Sequence, residues 1–301
     1  MAAPSSNRER SALRLSLAVA GAVAGVAVVW GLAANSQVIL FDGVYTLLGM
    51  SLTGLSIAAA RVSRRPPSAR YPFGLEAVVP LAVGAQGLAL LGVIAYAALE
   101  AVRVLLAGGA EVAAAAVAGY GAFTAILSLA VHRWMRAADP TSDLLDAEAQ
   151  SWWAGMLLSA VVLVGALLAL GLRWAGLEGA ERYVDPVLVL VASVILLPVP
   201  VGMIRDTAVE ILEGTPAPGI MEPVARAVAE VQAELGPPDP ILRVTKLGRK
   251  LYVEADFVVP DGVWDIAGED RVRRAVDRRL AALPYDVWLN VGLTTDPELA
   301  R

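Results

Sequence analysis

The chain has 301 residues, of which 57% are hydrophobic and 18% charged, and its mean hydropathy is +0.63. This composition is too apolar for a soluble globular chain, so most of the protein should lie in lipid. The sequence contains no cysteine and one histidine. Disulfides, thiolate chemistry and His or Cys metal clusters are therefore excluded, and any metal must be held mostly by oxygen. The net charge of -5 comes without a basic tract, which argues against a nucleic-acid partner.

Six apolar segments follow a basic N-terminal stretch, and each is close to the roughly 20 residues that a helix needs to cross a bilayer. They lie near residues 15–34, 37–60, 78–107, 112–134, 152–173 and 184–204. The first is too long for a signal-peptide core, so it is predicted to be a span. Arginines concentrate before the first span, between the second and third, and after the fourth and sixth. Because basic loops are retained in the cytoplasm, both termini are predicted to be cytoplasmic.

A second domain is predicted after the sixth span, where hydropathy falls and Pro216 and Pro218 mark a linker. Its pattern is a helix, two strands joined by a turn, a second helix and a third strand. The predicted elements begin near Met221, Ile241, Leu251, Val272 and Val287. The fold prediction is therefore an all-α membrane bundle of six helices over 1–212, followed by a small cytosolic α/β domain of order αββαβ over 213–301.

Asp42 is the most unusual residue of the second span, because no basic residue lies within one helical turn of it. Ionisable side chains inside spans are costly and usually serve binding or transport. Thr46 lies four residues later on the same face and offers a hydroxyl oxygen. Asp42 is therefore a candidate cation ligand. The structural alternatives are a helix-start role near the interface or a hydrogen bond to a neighbouring span.

The fifth span opens with polar residues that could add ligands. Asp146 and Gln150 are four residues apart on one face, and Glu148 lies on roughly the opposite face. Acids in the first turn of a helix also offset its dipole, which is the structural alternative for Asp146. At the start of the sixth span, Asp185 precedes a proline and is predicted to cap that helix.

Other polar residues of the spans have structural explanations. Gln86 is central and unpaired in sequence, and an interhelical hydrogen bond is the common fate of such a glutamine. Glu100 and Arg103 are three residues apart and can pair with each other. His132 lies beside a tryptophan at a span end, where an interfacial anchor is expected.

Several short stretches together resemble the cation diffusion facilitator family, also called cation efflux. The stretches are Phe41-Asp42-Gly43, Tyr71-Pro72-Phe73-Gly74, Tyr183-Val184-Asp185-Pro186 and Glu210-Ile211-Leu212-Glu213-Gly214. The resemblance covers nearly the whole chain. It implies six spans, cytoplasmic termini and a metallochaperone-like, ferredoxin-like αββαβ domain at the C-terminus.

The resemblance also implies a central metal site, which is degenerate in this sequence. Zinc-transporting members use Asp-x-x-x-Asp in the second span and His-x-x-x-Asp in the fifth. The matching positions here are Asp42-x-x-x-Thr46 and Gln150-x-x-x-Ala154. Only Asp42 fits the pattern, so the chain resembles a divergent member.

One carboxylate and two neutral oxygens suit hard cations such as Mn²⁺ or Mg²⁺ better than Zn²⁺. Glu148 or Asp146 could add charge to this set if the fifth span starts unwound or rotated. The predicted soluble domain contains no histidine or cysteine for regulatory zinc.

The resemblance implies efflux of a divalent cation by proton antiport, carried out by a homodimer in the lipid of the inner (plasma) membrane. The cation, which could be Mn, Mg, Zn, Co or Fe, would be substrate, and no permanently bound cofactor is expected. An enzyme is not expected, because no Ser/His/Asp set, HExxH motif or phosphate loop appears. The alternative is a transport-incompetent relative that acts as a membrane-anchored interaction or sensing module.

Overall fold

The computed structural model describes residues 7–138 and 143–300. The long helices of the first part are α1 (Asn7–Ala34), α2 (Gln37–Ser63), α3 (Val78–Leu106), α4 (Ala114–Ala138) and α5 (Asp143–Trp174). They are followed by α6 (Glu178–Glu181), α7 (Val184–Leu196), α8 (Pro198–Ile211), α9 (Pro218–Leu235), β1 (Pro240–Leu247), β2 (Lys250–Val258), α10 (Ile266–Leu280) and β3 (Asp286–Thr294). Within the described residues, 6 helical segments are long and apolar enough to cross a membrane, as predicted.

Several helices extend beyond the predicted apolar segments. The fifth helix begins at Asp143, well before the apolar run, because its acidic first turn is favourable at a helix N-terminus. The sixth span is divided into α7 and α8 at Leu197. Pro198 has no backbone N–H, so the regular pattern of helical hydrogen bonds is interrupted there.

The described residues group into two compact units. One consists of residues from 1–54 and 88–201, and the other of residues from 55–87 and 202–301. The second unit thus contains the C-terminal domain and also the end of α2, the start of α3 and most of α8. The boundary predicted between 212 and 213 falls in the connection between α8 and α9.

Glycines allow the helices of the first unit to approach closely. A Cβ atom added to Gly121 on α4 would lie 2.9 Å from the backbone nitrogen of Leu163 on α5. A Cβ atom at Gly43 on α2 would lie 2.9 Å from the side chain of Ala27 on α1. Small residues at such crossings let backbones pack without a gap, which is how helices associate in lipid.

The C-terminal part of the second unit has the predicted αββαβ order. Its sheet has the order β1-β2-β3, with β1 antiparallel and β3 parallel to β2. On β2, Leu251, Val253, Ala255 and Phe257 are all buried, and they share one core with apolar residues of α9 and α10. The strict alternation on β2 places these four side chains on one face of the sheet.

Candidate functional site

Asp42 lies in the second turn of α2 and is hydrogen-bonded to a buried tyrosine of α4. Its carboxylate accepts a hydrogen bond of 2.5 Å from the hydroxyl of Tyr120 on α4. Tyr120 is 2% exposed, and its ring packs edge-on against Trp30 of α1 with the centroids 6.0 Å apart. The position of the carboxylate is therefore fixed by packing as well as by a hydrogen bond.

The start of α2 is fixed by an aspartate on α7. Asp185 accepts hydrogen bonds from the Ser36 hydroxyl at 2.5 Å and from the Gln37 backbone N–H at 2.8 Å. The first N–H groups of a helix have no partners within that helix, and a carboxylate satisfies them well. The prediction that Asp185 caps its own helix is wrong: it lies inside the first turn of α7, makes no capping hydrogen bond there, and caps α2 instead.

Asp42 and Thr46 both line a cavity of about 450 Å³ among α1, α2, α4, α5 and α7. The polar residues of the lining are Asp42, Tyr45, Thr46, Tyr120, Thr124, Ser128, Glu148, Ser151, Trp152 and Ser159. Among the described residues, no lysine, arginine or histidine contributes to it. The lining is therefore apolar with scattered oxygen atoms, and its two charged groups are both carboxylates.

Two hydroxyl groups of this lining are oriented by helix carbonyls. Thr124 Oγ1 donates to the carbonyl of Tyr120 at 2.9 Å, and Ser159 Oγ donates to the carbonyl of Gly155 at 2.9 Å. A hydroxyl has one hydrogen and two acceptor lone pairs. Because the hydrogens of these hydroxyls are already donated, their oxygens are left as acceptors. Such a cavity suits a cation.

The structure separates the predicted ligands of the fifth span. Glu148 lines the cavity. Asp146 is exposed and forms an ion pair of 3.6 Å with Arg136. Gln150 is exposed and is not among the cavity residues. Each residue of a helix is rotated by about 100° from the one before it, so Gln150 points away from the cavity. The cavity face of α5 includes Gly155 and Ser159, which are four residues apart.

Asp42 and Glu148 are too far apart to bind one ion. The helices α4 and α5 run antiparallel: His132 bonds to the Ala149 carbonyl, and Gly121 lies against Leu163. Extending this residue-by-residue alignment of the two helices places Glu148 opposite the C-terminal end of α4. That position is about 15 residues beyond Tyr120, which bonds Asp42. At about 1.5 Å per residue this is roughly 22 Å, whereas metal–oxygen bonds are about 2.0–2.6 Å long.

Three polar residues of α4 were not identified from the sequence. Tyr120, Thr124 and Ser128 are spaced four apart, so they form one stripe along the cavity. That spacing was the available signal, but none of the three is charged in its ordinary state. Within the described part of the chain, no cluster of three or more His, Cys, Asp or Glu side chains could hold a metal ion. Hydroxyl oxygens, carbonyls or water would have to complete the coordination of a metal.

The chain is similar in sequence to known transporters. A family model described as the cation efflux transmembrane domain matches residues 13–212. The zinc transporter ZitB of Pectobacterium atrosepticum is 24% identical over 196 residues, which cover 63% of this chain and 57% of that protein. The zinc transporter ZitB of Escherichia coli is 29% identical over 197 residues, which cover 64% of this chain and 59% of that protein. The similarity thus spans less than two thirds of these curated relatives.

Proposed function

Because the chain belongs to the cation efflux family, we propose that it exports a divalent metal cation across the membrane in which its six helices lie. The observation that carries this proposal is the position of Asp42. Its carboxylate lines an apolar cavity with scattered oxygen atoms, to which no basic side chain among the described residues contributes. A negative charge within a membrane span is costly unless a cation or a proton accompanies it.

In the proposed mechanism, Asp42 and Thr46 replace part of the water shell of the cation. The Tyr120 hydroxyl, which donates to Asp42, would turn its hydrogen away and present its oxygen. After release of the metal, a proton on Asp42 would neutralise the carboxylate during the return step. The protein would therefore act as a cation/proton antiporter, with its helices rocking around this fixed site.

The chemistry of the cavity favours hard cations. Its described lining offers oxygen and no imidazole or thiolate, so Mn²⁺ and Mg²⁺ are proposed as better substrates than Zn²⁺. The two relatives reported above are zinc transporters, so Zn²⁺ must be tested beside Mn²⁺ and Mg²⁺. We further propose a homodimer in the inner (plasma) membrane with the C-terminal domain in the cytoplasm, in accord with the distribution of arginines.

The proposal is tested with purified protein in proteoliposomes that contain a trapped pH-sensitive dye. Mn²⁺, Mg²⁺, Zn²⁺ and Co²⁺ are added in turn, and at least one should drive proton movement. Asp42→Asn should abolish that movement while the protein still folds. Asp206→Asn is the matched control, because its carboxylate is 70% exposed and pairs with a neighbouring arginine.

Two outcomes would contradict the proposal. Unchanged transport in Asp42→Asn would make Asp42 a structural residue. No transport of any cation by the unmodified protein would favour the alternative of a membrane-anchored interaction or sensing module.

A further inference from the structure

We infer that Glu148 forms a second cation site at the far end of the cavity that contains Asp42. This inference rests on the proposed function, because it assigns the site where the divalent cation enters the cavity from the cytoplasmic side. The site would consist of one carboxylate and neighbouring oxygens, and it would take a hard divalent cation that keeps part of its water shell.

A short chain of hydrogen bonds holds Glu148 in place. Ser16 Oγ on α1 donates to Glu148 Oε1 at 2.7 Å, and Trp152 Nε1 donates to Ser16 Oγ at 2.7 Å. Ser16 is 1% exposed, so this serine is buried between α1 and α5. In the described part of the chain, no basic side chain forms an ion pair with Glu148. Among the described side chains, this carboxylate at the cavity therefore has hydrogen-bond partners but no cationic one.

The packing of α1 against α2 confirms that the two carboxylates are separate. A Cβ atom at Gly21 would lie 3.1 Å from Met50, and one at Gly43 would lie 2.9 Å from Ala27, so the two helices run antiparallel. Asp42 is therefore opposite the α1 residue at about position 29, some 13 residues from Ser16. At about 1.5 Å per residue the separation is roughly 20 Å, close to the value obtained from α4 and α5.

Hydroxyl oxygens line the cavity between the two carboxylates. Ser128 on α4 lies opposite Gly155 on α5, where a Cβ atom would be 3.9 Å from its Oγ. Ser159 and Thr124 also line this middle part. A cation that moves from Glu148 toward Asp42 would therefore meet oxygen acceptors about every turn. Several weak sites in a row allow an ion to enter and also to leave.

The hydrogen-bond chain provides a readout that does not depend on transport. Because Trp152 is linked to Glu148 through one serine, a cation at Glu148 should change the fluorescence of that tryptophan. Zn²⁺ and Mg²⁺ serve as probes, since neither absorbs near-ultraviolet light. In detergent-solubilised full-length protein, the change in emission should occur in the unmodified protein and in Asp42→Asn. Because Trp30 packs against Tyr120 beside Asp42, the loss is measured in the Asp42→Asn background, where adding Trp152→Phe or Glu148→Gln should abolish the emission change.

Transport provides the second measurement. Glu148→Gln should raise the metal concentration for half-maximal rate about tenfold with a smaller effect on the maximal rate, and Glu148→Asp should restore part of the loss. Asp206→Asn is again the control. If Glu148 were purely structural, Glu148→Gln would lower the amount of folded protein, and the half-maximal metal concentration would not rise more than the maximal rate falls.

The two measurements distinguish failure of the inference from failure of the proposed function. If Asp42→Asn stops transport but Glu148→Gln matches the unmodified protein in fluorescence and in transport, the second site is refuted and the proposed function stands. If the unmodified protein transports nothing, the proposed function is refuted. In that case the inference is judged by fluorescence alone. Loss of the cation-induced emission change in Glu148→Gln supports a cation bound at Glu148, and persistence of that change overturns the inference.

Discussion

The carboxylate of Asp185 on α7 accepts a hydrogen bond of 2.5 Å from the hydroxyl of Ser36, which directly precedes α2. Asp185 is 5% exposed, so its loss would leave buried donors without a partner. We expect Asp185→Ala to lower the free energy of unfolding by about 1–3 kcal/mol, whereas Asp185→Asn, which retains an acceptor, should cost less. Denaturant unfolding in detergent micelles measures the difference.

The control for this prediction is another acidic residue in the same unit. Glu111 pairs with Arg182 at 3.0 Å, but its side chain is 84% exposed. Glu111→Gln should therefore change stability by less than about 1 kcal/mol. Equal effects of the two substitutions would show that the bond from Asp185 to the start of α2 contributes little.

Tyr120 offers a more direct test of the cavity. Tyr120→Phe keeps the ring packed against Trp30 but removes the donor to Asp42. It also removes the hydroxyl oxygen that the proposed mechanism presents to the cation, so we expect transport to fall about tenfold or more, equivalent to about 1.4 kcal/mol or more, while the protein remains folded. Proton flux in proteoliposomes is the measurement. Tyr96→Phe, at a ring that is 69% exposed, should leave transport unchanged. Full activity of Tyr120→Phe would remove this tyrosine from the mechanism.

The sequence predicted those features that depend on local pattern. Six spans follow from apolar segments of sufficient length. The β1–β2 hairpin follows from two strand segments, the second with clear alternation, on either side of the turn at Gly248, and the structure confirms it. Gln86 was predicted to bond to another helix, and its amide donates to Ser56 Oγ on α2 at 2.6 Å. The predicted pair of Glu100 with Arg103 is also present at 3.3 Å.

Features that depend on tertiary contacts were missed. The bond between Asp185 and Ser36 joins residues 149 positions apart, and no local pattern encodes it. Tyr120 resembles an ordinary core aromatic in sequence, and its role appears only when α4 packs beside α2. Gln150 came from matching the fifth span to the family pattern, and the structure leaves it exposed and outside the cavity lining. Because α5 is apolar nearly all round, hydrophobic periodicity does not define its inward face.

The inward face of α2 can be tested by adding a ligand. Thr46→Asp places a second carboxylate one turn from Asp42 on the cavity lining, which should lower the metal concentration for half-maximal transport. Gln150→His should have no effect, because Gln150 is exposed and outside the cavity. Transport assays with Mn²⁺ and Zn²⁺ compare the two variants. A zinc-specific gain in Gln150→His would instead favour the ligand set that the sequence alone indicated.

The C-terminal domain should fold without metal. A fragment from about Thr215 onward contains a core of its own, and in its described part no group of three or more potential metal ligands occurs. We expect its melting temperature to be unchanged by a chelator, and zinc binding to be weaker than micromolar in calorimetry. Phe257→Ala removes a fully buried ring and should cost about 3–5 kcal/mol, which shows that the fragment's transition reports this core. Tight zinc binding would mean that carboxylates cooperate in an unforeseen arrangement.

The orientation in the membrane can be tested with single cysteines, because the chain has none of its own. Ser68 lies in an exposed loop between α2 and α3, near several arginines, and is predicted to be cytoplasmic. Ala175 is exposed just after α5 and is predicted to face the opposite side; it is preferable to Gly176, whose φ of +75° would strain a side chain. An impermeant thiol reagent added to intact cells should label Ala175→Cys and leave Ser68→Cys unlabelled until the membrane is opened. The cysteine-free parent is the control for background labelling. The reversed pattern would contradict the orientation inferred from the arginines and would place the C-terminal domain outside the cytoplasm.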